Sequence, residues 1–248
     1  MHALGATRAS LLANPLRELT LTEKDTFDAM VAERATGKPI QYIIGVQEFF
    51  GLEFAVTPDV LIPRPETEHL VEAVITALPK DRAVKIADVG TGSGAIAVAL
   101  AHTLPLAQVT ALDISRAALD VAARNAKVHG VDVRVKFVES DLLAACAGES
   151  FDVIVSNPPY IADAERESLE MQVRGFEPAL ALFAGASGYE VYERLIPQAW
   201  SALRVDGLLA METGFGQSAR MAELLDAWKS VAFMDDLAGI PRVVLARR

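Results

Sequence analysis

Four consecutive residues, Asn157, Pro158, Pro159 and Tyr160, follow the apolar run 151–156 and could together hold a planar amino group. An amide nitrogen is a poor nucleophile because its lone pair is delocalised into the π system. The Asn157 side-chain oxygen and the Pro158 carbonyl could accept both of its N–H bonds, as an oxyanion hole does with the opposite sign of charge. The Tyr160 ring could lie against the flat substrate group. This Asn-Pro-Pro-Tyr loop predicts methyl transfer to an amide-type nitrogen; without a cofactor loop upstream it would be a plain turn.

A glycine loop does lie upstream. Residues 84–89 are typical of a buried strand and residues 95–101 of a helix packed on a sheet. Between them lie Gly90, Thr91, Gly92, Ser93 and Gly94. A strand, a glycine loop and a helix in this order are the context of a cofactor-binding motif, because a backbone without Cβ atoms can approach a ligand closely. Asp113 ends a second strand, over 108–112, roughly 20 residues beyond the loop, where a carboxylate can bind both ribose hydroxyls.

A dinucleotide-binding protein is the alternative, because Gly90, Gly92 and Ala95 also satisfy the relaxed nicotinamide-binding pattern. Two observations favour S-adenosylmethionine. The third glycine comes early, at Gly94, and the Asn-Pro-Pro-Tyr loop has no role in hydride transfer. Asp88, just before the glycine loop, could hold a cofactor ammonium group or order the turn, and both interpretations stay open. The sequence therefore predicts S-adenosylmethionine as cofactor and S-adenosylhomocysteine as product.

Composition limits the other partners. The 248 residues can form one large α/β domain and a small accessory domain. No apolar run reaches the ~18 residues of a membrane span, so no membrane partner is predicted. Cys146, the single cysteine, fits a reducing cytoplasm, and the four scattered histidines predict no metal site. Acidic residues exceed basic ones, 33 against 23, which favours a protein substrate over nucleic acid.

The chain is predicted to divide near its N-terminus. A capped, amphipathic helix should begin at Thr22 and end near Gly37. Residues 47–56 are typical of two strands around a glycine, a hairpin or bent ribbon. We therefore predict a helical domain at 1–46 that could recognise a protein, a β-ribbon linker at 47–62, and the catalytic domain at 63–248.

Strands and helices alternate after the second strand. Ser115 is predicted to cap the helix that follows Asp113. The pattern then predicts strands at 131–138, 151–156, 207–212, 231–237 and 243–246, and helices at 191–203 and 217–228. This alternation predicts a mainly parallel, doubly wound α/β sheet that binds its ligands at the carboxyl ends of the strands. The glycine loop, Asp113, the turn at 141–142 and the Asn-Pro-Pro-Tyr loop should therefore converge on one crevice.

The proline-arginine segment, residues 61–68, has two interpretations. Its prolines and acidic residues suit the start of a helix near Thr67. Two prolines around the single arginine Arg64 are more than a helix start requires, so the segment is also a candidate lining of the active site.

The whole chain resembles the N5-glutamine methyltransferases of peptide chain release factors. The resemblance rests on the following motifs: residues 37–42, Gly45, 48–50, 61–68, 88–94, 156–161, 176–178 and 242–245. It implies a class I methyltransferase fold with an antiparallel last strand. It also implies methylation of the glutamine in the Gly-Gly-Gln loop of bacterial class-1 release factors.

The resemblance also implies residue roles. Asn157 and the Pro158 carbonyl would hold the substrate amide, with Pro159 and Tyr160 against it. The glycine loop would bind the methionine portion of the cofactor, Asp113 the ribose, and the Asp141-Leu142 turn the adenine. Asn157 would also contact the cofactor. Against the family pattern, one or two opening helices are expected to be absent, and Leu142 stands where relatives often have an aromatic residue.

Three other functions remain open at this point. The first is methylation of a glutamine in a ribosomal protein, which differs mainly in the N-terminal domain. The second is N6-adenine methylation of nucleic acid, which shares the Asn-Pro-Pro-Tyr loop but would need a basic groove. The third is a binding module without catalysis. The intact glycine loop, Asp113 and Asn-Pro-Pro-Tyr loop all argue against it.

Overall fold

A computed structural model describes residues 1–78 and 81–248. After a 3-10 turn at His2–Leu4, the N-terminal region forms three helices: α1 (Arg8–Ala13), α2 (Leu21–Ala35) and α3 (Ile40–Ile44). Helix α2 begins one residue earlier than predicted, because the Thr20 hydroxyl accepts from the Glu23 amide while the Glu23 carboxylate accepts from the Thr20 amide. No residue of α2 is buried, and Phe27 and Val31 are half exposed. The apolar face predicted for this helix is therefore not covered.

A hairpin follows, as predicted around Gly51. Its strands are β1 (Val46–Phe49) and β2 (Leu52–Ala55), which pair in antiparallel register. Phe49 and Phe54 are buried, and their ring centroids lie 6.1 Å apart in an edge-to-face arrangement. The Asn125 side chain bonds both the amide and the carbonyl of Ala55, at 2.8 and 3.0 Å. The two Asn125 bonds fix the ribbon to the helix over 116–128. The domain boundaries at 46 and 62 remain predictions.

The remaining strands of the described chain build two further sheets. They are β3 (Val84–Val89), β4 (Ala107–Asp113), β5 (Val135–Glu139), β6 (Phe151–Ser156), β7 (Ile161–Ala162), β8 (Phe183–Gly185), β9 (Leu203–Glu212), β10 (Lys229–Asp235) and β11 (Pro241–Arg247). Within residues 1–78 and 81–248, the central sheet has the order β5-β4-β3-β6-β9-β11-β10, and β7 pairs with β8. Strands β3, β4, β5, β6 and β9 are parallel, and β11 is antiparallel to both of its neighbours. The predicted doubly wound sheet with an antiparallel last strand is confirmed.

The remaining helices of the described chain are α4 (Glu68–Ala77), α5 (Ala95–Thr103), α6 (Arg116–Val128), α7 (Met171–Arg174), α8 (Ala179–Leu182), α9 (Glu190–Ala202) and α10 (Ser218–Leu224). Helices α4, α5, α6, α9 and α10 pack on the central sheet. Side chains alternate along each buried strand. Ile86 and Val153 pack in the core beside α4 and α5, whereas Ala87 and Ile154 pack in the core beside α9 and α10. Burial on both faces explains why these strands are continuous apolar runs.

Several predicted boundaries are wrong: β9 begins at Leu203 rather than Gly207, and β10 spans Lys229–Asp235 rather than 231–237. Two others are wrong because a buried residue begins a turn. Strand β5 starts at Val135 rather than Val131, because Val131 is buried behind α6 and residues 132–134 form a 3-10 turn. Helix α10 ends at Leu224, because Leu225 to Trp228 form a turn that buries the Trp228 ring edge-on against Trp200, with centroids 5.1 Å apart.

Gly94 provides a test of how closely the glycine loop packs on α6. Its φ is +80°, and a Cβ added there would lie 2.9 Å from the Ala122 Cβ and 3.1 Å from the Ala122 Cα. At Gly130, φ is +66° and a Cβ would meet no atom within 4 Å. We expect Gly94→Ala to lower the free energy of unfolding by on the order of 1–3 kcal/mol more than Gly130→Ala, because only the first adds a clash to the backbone strain. Urea unfolding of both variants measures the difference, and equal losses would contradict the close packing.

Candidate functional site

The glycine loop, residues 90–94, leads from the carboxyl end of β3 into α5. The amides of Gly90 and Thr91 donate to the Leu112 carbonyl at 2.8 and 2.9 Å, so the loop lies across the end of β4. Gly90 and Gly92 have φ of +73° and +54°, a region that glycine adopts without strain. A Cβ at either position would meet no protein atom within 4 Å. The loop therefore presents open space on its outer side.

Asp113 ties the end of β4 to the glycine loop. One carboxylate oxygen accepts from the Gly92 amide and the other from the Ser115 amide, each at 2.9 Å. Burial raises the Asp113 pKa, and the backbone N–H groups lower it. Ser115 caps α6 as predicted, because its hydroxyl accepts from the Ala118 amide. A carboxylate oxygen has more than one lone pair, so Asp113 can still accept from a hydroxyl of a ligand.

Asp88 is the fully buried carboxyl group beneath the glycine loop. Its Oδ2 accepts from the Thr91 hydroxyl at 2.6 Å and from the Ala97 amide at 3.1 Å. It therefore orders the turn, which was one of its two interpretations. Its Oδ1 has no hydrogen-bond partner among the described residues. Burial raises the Asp88 pKa to about 7; Thr91 and Ala97 lower it, and the charge of Asp113 raises it.

Two adjoining clefts open between the glycine loop and the Asn-Pro-Pro-Tyr loop. The first is lined by Phe49, Leu61, Pro63, Arg64, Thr67, Gly90, Thr91, Gly92, Ser93, Ala95, Ile96 and Asn157. The second is lined by Leu61, Arg64, Asn157, Pro158, Tyr160, Ile161, Val173, Ala181 and Leu182. Only Leu61, Arg64 and Asn157 line both clefts. Asn157 therefore stands where a group in one cleft meets a group in the other.

The proline-arginine segment fits both of its interpretations. Pro65–Thr67 form a 3-10 turn that leads into α4, and Leu61 and Arg64 line the clefts. The Arg64 guanidinium pairs with Glu177, whose carboxylate also accepts from the Ile62 amide at 3.2 Å. Glu177 is buried. This pair fixes the segment at the mouth of the site.

The Asn-Pro-Pro-Tyr loop is held at both ends. The Ser156 hydroxyl donates to the Val89 carbonyl at 2.7 Å, which joins the end of β6 to the end of β3. The Asn157 side-chain nitrogen, Nδ2, donates to the Thr67 hydroxyl at 3.1 Å. That hydroxyl donates in turn to Glu212 Oε2 at 2.6 Å. At the other end, Gln217 Nε2 donates to the Tyr160 carbonyl at 3.1 Å. The loop is therefore a fixed structure and not a free turn.

Tyr160 packs tightly against two glycines. A Cβ at Gly214 would lie 2.9 Å from the Tyr160 ring, and a Cβ at Gly188 would lie 2.7 Å from the Tyr160 carbonyl oxygen. Burial raises the pKa of the Tyr160 phenol, so it stays neutral. Tyr160 lines the second cleft, where it was predicted to contact the substrate.

Five predicted site residues line neither cleft: Gly94, Asp113, Asp141, Leu142 and Pro159. Pro159 is partly buried. The turn at 141–142 begins beside β4, because the Ser140 amide donates to the Asp113 carbonyl at 2.9 Å. Leu142 has a φ of +52°, and the exposed Asp141 carboxylate pairs with Arg194 of α9. The Asp141 side chain is therefore engaged by α9, and the adenine role of this turn remains a prediction.

Sequence reasoning missed Glu212 and did not single out Thr67 within the segment 61–68. Glu212 closes the apolar strand β9 at the same edge of the sheet as Asp88, so the rule that identified Asp113 would also have found it. Thr67 carried no comparable signal, because a hydroxyl at a helix start is ordinary capping chemistry. Its role depends on contacts with residues 90 and 145 positions away in the chain.

Across residues 1–78 and 81–248, no group of three or more His, Cys, Asp or Glu side chains is arranged to hold a metal ion. In the same part of the chain, no helix has the length and apolar character needed to cross a membrane.

Asp88 gives the site a testable pH signature. Its carboxyl group keeps its proton in the folded protein up to about pH 7, whereas the ordinary pKa is 3.8. The stability that this proton contributes is fully present below the ordinary value and is lost as pH rises through 7. Wild-type unfolding free energy should therefore fall between pH 5 and 7, and Asp88→Asn should reduce that fall by on the order of 2 kcal/mol.

Urea unfolding at several pH values measures this effect. The exposed Asp163 offers a matched control, and Asp163→Asn should keep the wild-type pH dependence. An Asp88→Asn variant with an unchanged fall would show that Asp88 is ionised throughout.

Comparison with known proteins agrees with this geometry. Residues 67–179 match the family model described as the Methyltransferase small domain, and residues 1–45 match the PrmC N-terminal domain. The N-terminal domain of human METTL16, solved in complex with SAH, shares the fold: its TM-score is 0.57 at 21% identity, over 79% of this chain and 76% of that chain.

Two curated relatives match the full length of the chain. The release factor glutamine methyltransferase of Koribacter versatilis is 45% identical over 100% of this chain and 88% of its own length. The release factor glutamine methyltransferase of Nitratidesulfovibrio vulgaris is 43% identical over 100% of this chain and 85% of its own length. Identity of this extent shows that the chain belongs to the release factor glutamine methyltransferase family.

Proposed function

We propose that this protein transfers a methyl group from S-adenosylmethionine to the side-chain amide nitrogen of the glutamine in the Gly-Gly-Gln loop of bacterial class-1 release factors. The observation that carries the proposal is the position of Asn157, which lines both the cleft beside the glycine loop and the cleft beside Tyr160. A transfer reaction needs its donor and acceptor held in contact, and Asn157 borders the cleft proposed for each of them. The names of the full-length relatives identify the substrate class.

The first cleft suits S-adenosylmethionine, which supplies an electrophilic methyl group when bound. Gly90 and Gly92 line it, and the space that their missing Cβ atoms leave is open. Asp113, bonded to the Gly92 amide, would hold the ribose hydroxyls. Asp88 holds the same loop from beneath, through the Thr91 hydroxyl and the Ala97 amide.

The second cleft would receive the glutamine side chain. The Asn157 side-chain oxygen and the Pro158 carbonyl would each accept one N–H bond of its amide, and the Tyr160 ring would lie against its plane. Two acceptors on the nitrogen favour the pyramidal geometry in which its lone pair is available. The nitrogen becomes cationic as the new bond forms, so its proton can leave afterwards. The reaction therefore needs no general base before attack.

The charge of the protein supports a protein substrate. Its net charge is −10, and the guanidinium at the mouth of the site, Arg64, is already paired with Glu177. A phosphate backbone would need unpaired basic side chains along a groove. A release factor loop needs only room to extend one glutamine past Tyr160.

The direct test is transfer of a labelled methyl group from S-adenosylmethionine to purified substrates. We expect label on an intact class-1 release factor. DNA and ribosomes, tested in parallel, should remain unlabelled. Replacement of the loop glutamine by alanine in the release factor should abolish labelling. Methylation of adenine in DNA, or of a ribosomal protein, with none on the release factor, would assign the protein to one of those activities instead.

Asn157→Ala tests the residue on which the mechanism depends. We expect kcat to fall on the order of 100-fold, because an acceptor aimed at developing charge is lost, while S-adenosylhomocysteine affinity should fall far less. Asp113→Ala is the matched variant on the cofactor side, and it should weaken cofactor binding by on the order of 1–3 kcal/mol. Steady-state kinetics and calorimetry separate the two effects. Near-normal turnover in Asn157→Ala would remove this residue from the methyl-transfer step.

A further inference from the structure

A carboxamide such as that of Asn157 can present either its oxygen or its NH2 group to a ligand. The difference decides the chemistry, because a substrate NH2 group needs an acceptor and is repelled by a second donor. In this structure the Asn157 Nδ2 is turned towards the Thr67 hydroxyl, at 3.1 Å. Among residues 1–78 and 81–248, no donor is bonded to the Asn157 oxygen. Something beyond Asn157 itself must select this orientation.

The number of protons available along the hydrogen-bond chain fixes the orientation of the Asn157 carboxamide. A hydroxyl has one proton to donate. The Thr67 hydroxyl donates it to Glu212 Oε2 at 2.6 Å, so towards Asn157 it can only accept. Only the NH2 end of the Asn157 side chain can satisfy an acceptor. An ionised Glu212 therefore fixes the direction of every hydrogen bond in the chain and leaves the Asn157 oxygen for another partner.

Glu212 is isolated enough to impose this direction. It is 2% exposed at the end of β9, and its carboxylate has one short bond, to Thr67. The Tyr192 hydroxyl on α9 donates to the Glu212 main-chain oxygen at 2.9 Å, and the Tyr160 side chain is a further hydrogen-bonding neighbour of the carboxylate. The charged and titratable neighbours are Glu66, Tyr160 and Arg242; the last already bonds Asp236 at 3.2 Å.

We propose that Thr67 and Glu212 are positioning residues that hold the Asn157 carboxamide with its oxygen towards the substrate amide. The proposal rests on the function proposed above, because it assigns the means by which Asn157 is oriented for that reaction. Protonation of Glu212 allows every hydrogen bond in this chain to reverse its direction. A neutral carboxyl group can donate to Thr67, Thr67 can then donate to the Asn157 oxygen, and the amide can turn its NH2 group towards the substrate.

The pH at which this reversal occurs is set by the surroundings of Glu212. Burial raises the pKa of Glu212 to about 7; the charge of Glu66 raises it, and Thr67, Arg242 and Tyr160 lower it. The ionised, orienting form is present above this pKa and is lost as pH falls through it. Turnover should therefore have an acidic limb near neutrality.

Kinetics of three variants on the release factor test the proposal. Thr67→Val keeps the shape of the side chain and removes its hydroxyl. We expect kcat to fall on the order of 10-fold with little change in KM, because one oriented hydrogen bond is lost. Thr67→Ser restores the hydroxyl and should recover most of that loss. Glu212→Gln should lower kcat at pH 8 and abolish the acidic limb. Equal kcat in Thr67→Val and Thr67→Ser would overturn the proposal, as would an acidic limb that persists in Glu212→Gln, since that result would assign the limb to Asp88 or another group.

A second measurement needs no substrate and so separates this proposal from the proposed function. The side-chain amide signals of Asn157 can be followed by nuclear magnetic resonance in 15N-labelled protein between pH 5.5 and 8.5. They should shift with a midpoint near 7 in the wild type and stay constant in Glu212→Gln. Constant signals in the wild type would overturn the positioning role. A normal shift in a protein that does not methylate release factors would instead overturn the proposed substrate.

Discussion

Two carboxyl groups buried at the same edge of the sheet organise the whole crevice. Asp88, at the end of β3, holds the glycine loop through Thr91 and the start of α5 through Ala97. Glu212, at the end of β9, holds Thr67. Each carboxyl group is removed from water, and burial raises the pKa of each to about 7. Buried acids without a full set of partners are costly, so their place beneath the two functional loops is a reason to connect them with function.

Parallel pairing is what brings the two loops together. Strands β3 and β6 are neighbours at the centre of the sheet, and the Ser156 hydroxyl bonds the Val89 carbonyl across their ends. The glycine loop and the Asn-Pro-Pro-Tyr loop thus leave the sheet side by side. The proline-arginine segment closes over them, fixed by the pair of Arg64 and the buried Glu177. Asn157 lies at the meeting point of all three segments.

The sequence was sufficient to predict the strands that are apolar runs and the site residues that directly follow those runs. Apolar runs predicted β3, β4 and β6, and the residues just after β3 and β6 line the clefts. Boundaries failed where tertiary burial overrode local pattern, as at Val131 and Trp228. The Thr67–Glu212 contact was not predictable, because it joins residues 145 positions apart and each alone has an ordinary explanation. Periodicity reports which face of an element is buried, but not which distant polar groups meet there.

The helical region before residue 46 contrasts with the crevice. Helix α2 has a complete capping box at Thr20 and Glu23, and yet no residue of it is buried. Its local hydrogen bonds fix where the helix begins, whereas in the sheet tertiary packing fixes the strands. In the crevice, by contrast, local hydrogen bonds within the loops and long-range packing of the sheet both act on the same residues.

A crystal structure of the protein with S-adenosylhomocysteine and a class-1 release factor tests most directly how Asn157 holds the substrate. We expect the glutamine nitrogen within hydrogen-bond distance, about 2.7–3.2 Å, of both the Asn157 side-chain oxygen and the Pro158 carbonyl oxygen, with the Asn157 side-chain nitrogen still bonded to Thr67. A glutamine bound away from Asn157, or an Asn157 side chain turned with its oxygen on Thr67, would contradict it.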